Sequence, residues 1–116
     1  MIIRKLADVE KTDVQMEGVK NITKQLVLGS QDGVPNFSFR VFTLAPGGHS
    51  PHHTHEVEHL NIILSGEGAL MDKNGQANAL VTGDFAFVPP HDVHQFRNTS
   101  KTDDFVFVCA VPKEYE

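Results

Sequence analysis

Three histidines, His53, His55 and His59, stand two and four residues apart between a Pro46-Gly47-Gly48 turn and a Gly66-Glu67-Gly68 turn. That spacing constrains the fold more than any other feature of the chain. In an extended strand, side chains of one parity point to one face, so all three imidazoles are expected to share a single interior. On a helix the two-residue step would turn His55 well away from His53. Apolar Leu60, Ile62, Ile63 and Leu64 follow directly. A lone histidine is usually just a solvated side chain. A same-parity cluster between two glycine turns points instead to a metal site, since neutral imidazole is the commonest protein metal ligand.

The rest of the chain reads as short strands separated by turns. Lys5 to Glu10 suggests a short helical turn. Val19 to Leu28 is rich in β-branched residues and predicts a strand, ending in a loop at Gly29-Ser30-Gln31-Asp32-Gly33. Phe37 to Leu44 predicts a clearer strand, bounded by Pro35 and by Pro46-Gly47-Gly48. Further strands are expected at Ala69–Met71, Gln76–Val81, Phe85–Val88, Val93–Arg97 and Phe105–Val111. Asp72-Lys73-Asn74-Gly75 joins the first two as a hairpin. No amphipathic helix of useful length appears. The pattern predicts an all-β sandwich or barrel and argues against a doubly wound α/β fold.

The 116 residues suffice for one domain, expected over 1–116. Net charge is −5 and no Lys/Arg run exists to meet a phosphate backbone, so nucleic acid is not an expected partner. Nor is a membrane: the longest apolar run falls far short of a span, and Met1-Ile2-Ile3-Arg4-Lys5 reads as neither signal peptide nor anchor. One cysteine, Cys109, makes no internal disulfide, which together with that N-terminus predicts a cytoplasmic protein.

Two motifs resemble those of the cupin family. The first runs glycine, five residues, His-x-His, three or four residues, glutamate, six residues, glycine. Gly47, His53, His55 and Gly66 match it, with His59 where glutamate is usual. The second runs glycine, five residues, Pro-x-Gly, two residues, histidine, three residues, asparagine. Gly83, Pro89, His94 and Asn98 match it, with His91 in place of the inner glycine. The motifs span residues 47–66 and 83–98. The chain is most similar to small single-domain cupins with a four-histidine manganese site. The resemblance implies a double-stranded β-helix, a jelly-roll barrel. It also implies His53, His55, His59 and His94 as metal ligands, and a homodimer. Open sheet edges give a physical reason for the dimer, with the N-terminal strands as expected contributors. The resemblance leaves the reaction open.

Other residues were weighed against these. His52 has the wrong parity and reads as solvated, as does His91 in the Pro89-Pro90-His91-Asp92 turn. Glu58 would be a ligand only after a register shift. Arg40, a charge inside an apolar strand, either pairs with a surface acid or lines the cavity to hold an anionic substrate. Phe105, Phe107, Cys109 and Val111 share one strand face, as core or as cavity wall, with Cys109 a soft neighbour of the metal. Arg40 and Cys109 are therefore the candidate catalytic residues, and no hydrolytic nucleophile set is visible.

Four neutral imidazoles leave a divalent ion its full charge, giving a good Lewis acid with two octahedral positions free. Affinity alone favours iron, nickel, zinc or copper, and only the resemblance favours manganese. The expected function is a metal-dependent, dioxygenase-like oxidoreductase acting on a small oxygen-bearing molecule inside the barrel. The alternatives are a non-catalytic metal or small-ligand binding module and a non-redox isomerase or lyase. With histidine near pKa 6.5 in solution, such a site is expected to release metal below about pH 6, taking up several protons per ion.

Overall fold

The computed structural model describes residues 1–116. Nine strands follow in order: β1 Thr12–Asp13, β2 Lys20–Leu28, β3 Phe37–His49, β4 His59–Ser65, β5 Glu67–Met71, β6 Ala77–Val81, β7 Phe85–Val88, β8 Gln95–Asn98 and β9 Phe105–Pro112. Short 3-10 turns lie at Leu6–Asp8, Ser30–Asp32 and Lys113–Tyr115. All strand pairs are antiparallel, in the order β6-β5-β8-β3-β9-β4-β7, with β2 also on β3 and β1 on β2. This is the jelly roll expected. No helix is long and apolar enough to cross a membrane.

The main departure from the sequence reading is β3. Pro46-Gly47-Gly48 bends the strand without ending it. Its first half pairs with β9 from Phe37↔Pro112 to Leu44↔Phe105, and its last residue, His49, pairs with Arg97 of β8. One strand thus belongs to both halves of the roll. Gly47 takes φ +79°, and the register against β2 shifts between Lys20 and Ile22 beside it. The bend is a bulge, which proteins use to turn a strand from one sheet to the next.

Alternation sets the core. Along β9 the burial alternates from Phe105 to Val111, with Phe105, Phe107, Cys109 and Val111 at 4 % exposure or less. Leu44, Ile63, Phe96 and Ile22 close on them from β3, β4, β8 and β2. Asn98 ties the layers: its amide donates to the Leu44 and Asp103 carbonyls, both at 2.8 Å, and its Oδ1 accepts from the Ser100 N–H. Gly66 sits where φ is +80° and where an added Cβ would fall 2.1 Å from the Asp104 carbonyl oxygen, so no other residue fits between β4 and β5.

β7 departs in a second way. It was expected as an apolar strand, and it is one, but Phe85 and Phe87 are 78 % and 62 % exposed. They face outward with Phe39 and Leu60.

Candidate metal centre

The histidines converge by a different route from strand parity. His53 forms only an isolated bridge to His94, with His53 N–H donating to the His94 carbonyl at 3.0 Å and the reverse bond at 2.9 Å. His55 lies in the loop that follows, and only His59 stands on a strand, as the first residue of β4. The physical reason is the glycine-free linker Thr54–Glu58: pinned at the His53–His94 bridge and at β4, it arches across the barrel mouth. A further tie holds it, since the His91 N–H donates to the His55 carbonyl at 2.7 Å.

The result is a ring of four imidazoles. Ring centroids lie 4.2 Å apart for His53–His55, 4.6 Å for His55–His59, 5.4 Å for His53–His94 and 5.8 Å for His59–His94. One ring nitrogen each of His53, His55 and His94 falls within 4.8 Å of the others, a group able to hold a metal ion. His59 lies outside that group, with its ring centroid 4.6 Å from His55 and 5.8 Å from His94.

Hydrogen bonds behind the rings choose which nitrogen faces inward. His94 Nδ1 lies 2.8 Å from the Asp92 carbonyl, to which it can only donate, so its Nε2 carries the lone pair. His59 Nδ1 lies 3.3 Å from Cys109 Sγ, while Nε2 is buried without any partner. An orphaned buried imidazole nitrogen is costly. It is satisfied if Nδ1–H donates to the sulfur and Nε2 binds an ion. The donor set fits a divalent transition metal in type and in tautomer.

The electrostatics agree. Burial, then the neighbouring rings, pushes His53 down to about 4, and burial pushes His59 down to about 3, with His55 and Arg40 adding to it. His55 is lowered too, by burial first and then by His94 and Arg40. All three are held neutral at pH 7, as metal ligands must be.

The ring opens on a cavity of about 380 Å³, within the usual range for small-molecule sites. Its walls include Phe42, Phe96 and Phe107, with Phe96 and Phe107 stacked at 4.4 Å between centroids. Arg40 and Cys109 both line it. Arg40 Nη2 donates to Cys109 Sγ at 3.1 Å and lies 3.4 Å from His59 Nδ1, and Nη1 donates to the Tyr115 carbonyl at 3.3 Å. The guanidinium carbon stands 4.9 Å from the Phe42 ring centroid.

The remaining candidates fall outside. His52 is exposed, its Nε2 3.0 Å from the Asp72 carbonyl. His91 is exposed, with φ +69°, the left-handed conformation that the glycine of the family motif would adopt without strain. Glu56 receives the Tyr115 hydroxyl at 3.2 Å, and neither it nor Glu58 lines the cavity. Sequence reasoning missed the segment Thr12–Met16, which forms one rim of the cavity, because it carries no periodic pattern. It also missed Phe42 and Phe96 as walls, although the parity of Arg40 and His94 was available to find them.

A family model for the cupin domain matches residues 40–111, which is most of the chain and both motifs. The chain belongs to the cupin family. Among solved structures, this cupin is similar to the polyketide cyclase RemF from Streptomyces resistomycificus. The TM-score is 0.91 at 26% identity, covering 97% of this chain and 79% of that one. A Thermotoga maritima structure described as a predicted oxalate decarboxylase superposes at TM-score 0.84 over 97% of this chain and 99% of its own, and at 24% identity it speaks for the fold alone. Auxin-binding protein 1 of Arabidopsis thaliana is 27% identical over 92% of this chain. The chain spans only 57% of that protein's length, and 64% of the tobacco auxin-binding protein T85.

Proposed function

We propose that His53, His55, His59 and His94 hold one divalent transition metal ion, manganese by the motif resemblance, and that this cupin is a dioxygenase-like oxidoreductase acting on a small oxygen-bearing molecule in the cavity. The observation that carries the four-donor set is the unpartnered, buried Nε2 of His59 beside three rings already within ligating distance of one another. When bound, such an ion supplies Lewis acidity and open positions for oxygen donors. The chain supplies the rest. The Asp92 carbonyl holds His94 in the ligating tautomer, and Cys109 stands where it can accept from His59 Nδ1–H in the tautomer that frees Nε2. Phe42, Phe96 and Phe107 exclude water from one wall.

Redox chemistry is favoured over isomerisation or lysis by what the lining lacks. Its single carboxylate, Asp13, is exposed at the rim, so no two titratable groups with opposed pKa values stand ready to pass a proton back and forth. The names of similar proteins support a second reading. An auxin-binding protein suggests capture of a small ligand without turnover, and a polyketide cyclase suggests a reaction without net oxidation. Elemental analysis of natively purified protein, with oxygen uptake measured across aromatic and keto-acid substrates, separates them. Metal-dependent uptake with at least one substrate is the expected result. Metal-dependent ligand binding with no uptake across the panel would make the protein a binding module.

A reducing cytoplasm and a symmetric homodimer are part of the same proposal. Phe39, Leu60, Phe85 and Phe87 form an uncharged outer face bordered by β7, the terminal strand of the sheet. A second copy meets that face across a twofold axis with no like charges opposed. Phe39 of this face pairs with Leu28 of β2, so the face adjoins the N-terminal strands expected to contribute to the contact.

A further inference from the structure

We propose that Arg40 is an anion-binding site in its own right, and that the small molecule held in the cavity is an organic carboxylate with an apolar body. This deepens the reading above and rests on it in one respect, that the cavity holds a ligand.

The charge of Arg40 is unbalanced. Arg40 is half-buried on β3, and a guanidinium stays protonated at any pH of interest. Charges taken out of water are normally paired. Arg40 is not: the one ion pair in the structure joins Arg4 to Asp32. Its partners are a sulfur, the neutral imidazole of His59, a backbone carbonyl and an aromatic face, none of them charged. They fix the side chain in place without cancelling its charge. The cavity adds to the imbalance, since Lys24 also lines it against the single carboxylate of Asp13. A bound divalent ion would make the interior more positive still. Such a concave, partly apolar site focuses a positive potential and favours an anion.

The shape of the rest sets the ligand's body. Phe42 lies beside Arg40, and the stacked Phe96–Phe107 pair continues the wall. Met16, Val14 and Val19 face them from the N-terminal rim. An apolar body suits this aromatic and aliphatic lining, with a charged end at the guanidinium. The metal-facing Nε2 of His59 and the Arg40 Nη2 lie on opposite edges of the same imidazole. Arg40 is not itself a metal ligand but touches one, His59, so the two are told apart by measuring anion binding with and without metal.

The test uses 2-naphthoate and its neutral counterpart 2-naphthamide, titrated by calorimetry into metal-stripped and zinc-loaded protein. Stripped wild-type protein should bind the carboxylate about tenfold more tightly than the amide, the size of a charge-assisted hydrogen bond. Arg40→Gln should reduce that preference to near unity, the carboxylate losing more affinity than the amide, and Arg40→Lys should keep part of it. Circular dichroism melts of each variant check that it folds. A preference that survives Arg40→Gln, or that appears only with zinc loaded, overturns the proposal, because Lys24 or the ion would then be holding the carboxylate. Failure of stripped wild type to bind either probe overturns it as well. Loss of zinc binding with the Arg40-dependent preference intact would refute the metal reading and support this one.

Discussion

Acidification should destabilise the metal-free protein before it protonates His59 and His53 in the folded state. Free histidine titrates at 6.5, whereas folded His59 is pushed down to about 3 and His53 to about 4. Between those values the unfolded chain binds protons that the folded chain refuses. Stability is therefore fully present above pH 6.5 and falls as pH drops toward 4. At pH 5 the penalty for a group so depressed is RT ln(1 + 10^1.5), about 2 kcal/mol. His59 is only 7 % exposed, so its share stands. His53 is more open, and solvent screening reduces its share to about 1 kcal/mol. The sum, about 3 kcal/mol, is a large part of a stability that for such domains is about 5–15 kcal/mol.

The assay is urea unfolding of metal-stripped protein at pH 8 and pH 5, followed by circular dichroism, for wild type and His59→Gln. Dilute protein is needed because net charge vanishes near pI 5.7. Wild type should lose about 2 kcal/mol more than the variant over that interval. Parallel losses would refute the reasoning, as would an NMR titration showing His59 protonated in folded protein above pH 5. The same numbers revise an expectation drawn from the sequence. His53 and His59 are already neutral at pH 5 to 6, so these two rings have no protons to give up there when metal binds. Metal affinity of the folded protein should thus fall gently across that range, and steeply only where the protein unfolds.

Four further outcomes are expected. His53→Ala and His94→Ala should each weaken metal binding by orders of magnitude in chelator competition, while His52→Ala leaves it unchanged. Cys109→Ala should lower zinc affinity about tenfold or more and shift the His59 ring nitrogens toward mixed tautomers in 15N spectra, with Cys109→Ser restoring part of both. His91→Val should lower stability by about 1–2 kcal/mol in urea unfolding, because a β-branched residue resists positive φ, and His91→Gly should not. Light scattering should report twice 12.8 kDa for wild type and the monomer for Phe85→Asp/Phe87→Asp; a wild-type monomer would refute the dimer.

The fold was legible where side-chain alternation and turn chemistry agree. Phe105 to Val111 alternates in sequence and in burial, and Asp72–Gly75 closes the β5–β6 hairpin as its residues require. It was not legible where a turn signal is used for another purpose. Pro46-Gly47-Gly48 marks a change of backbone direction, and whether a strand ends or only bends there depends on partners lying far off in sequence, β2 on one side and Arg97 on the other.

The histidine cluster teaches the converse. Strand parity correctly grouped His53, His55 and His59 although His53 and His55 lie on no regular strand. What the spacing really encodes is a short span between two fixed points: a backbone bridge to His94 at one end and the first rung of β4 at the other. A five-residue linker cannot wander far between such anchors. Its side chains must then point either into the barrel or out to solvent, and the exposure of Thr54 and Glu56 beside the less exposed His53 and His55 shows the same alternation kept without the ladder. Arg40 shows the limit of this kind of inference. Its place inside an apolar strand left it either paired with a surface acid or lining the cavity, and which of the two holds is a question of tertiary packing. The answer is a sulfur and a carbonyl, and it is this neutral company that makes the charge available to a ligand.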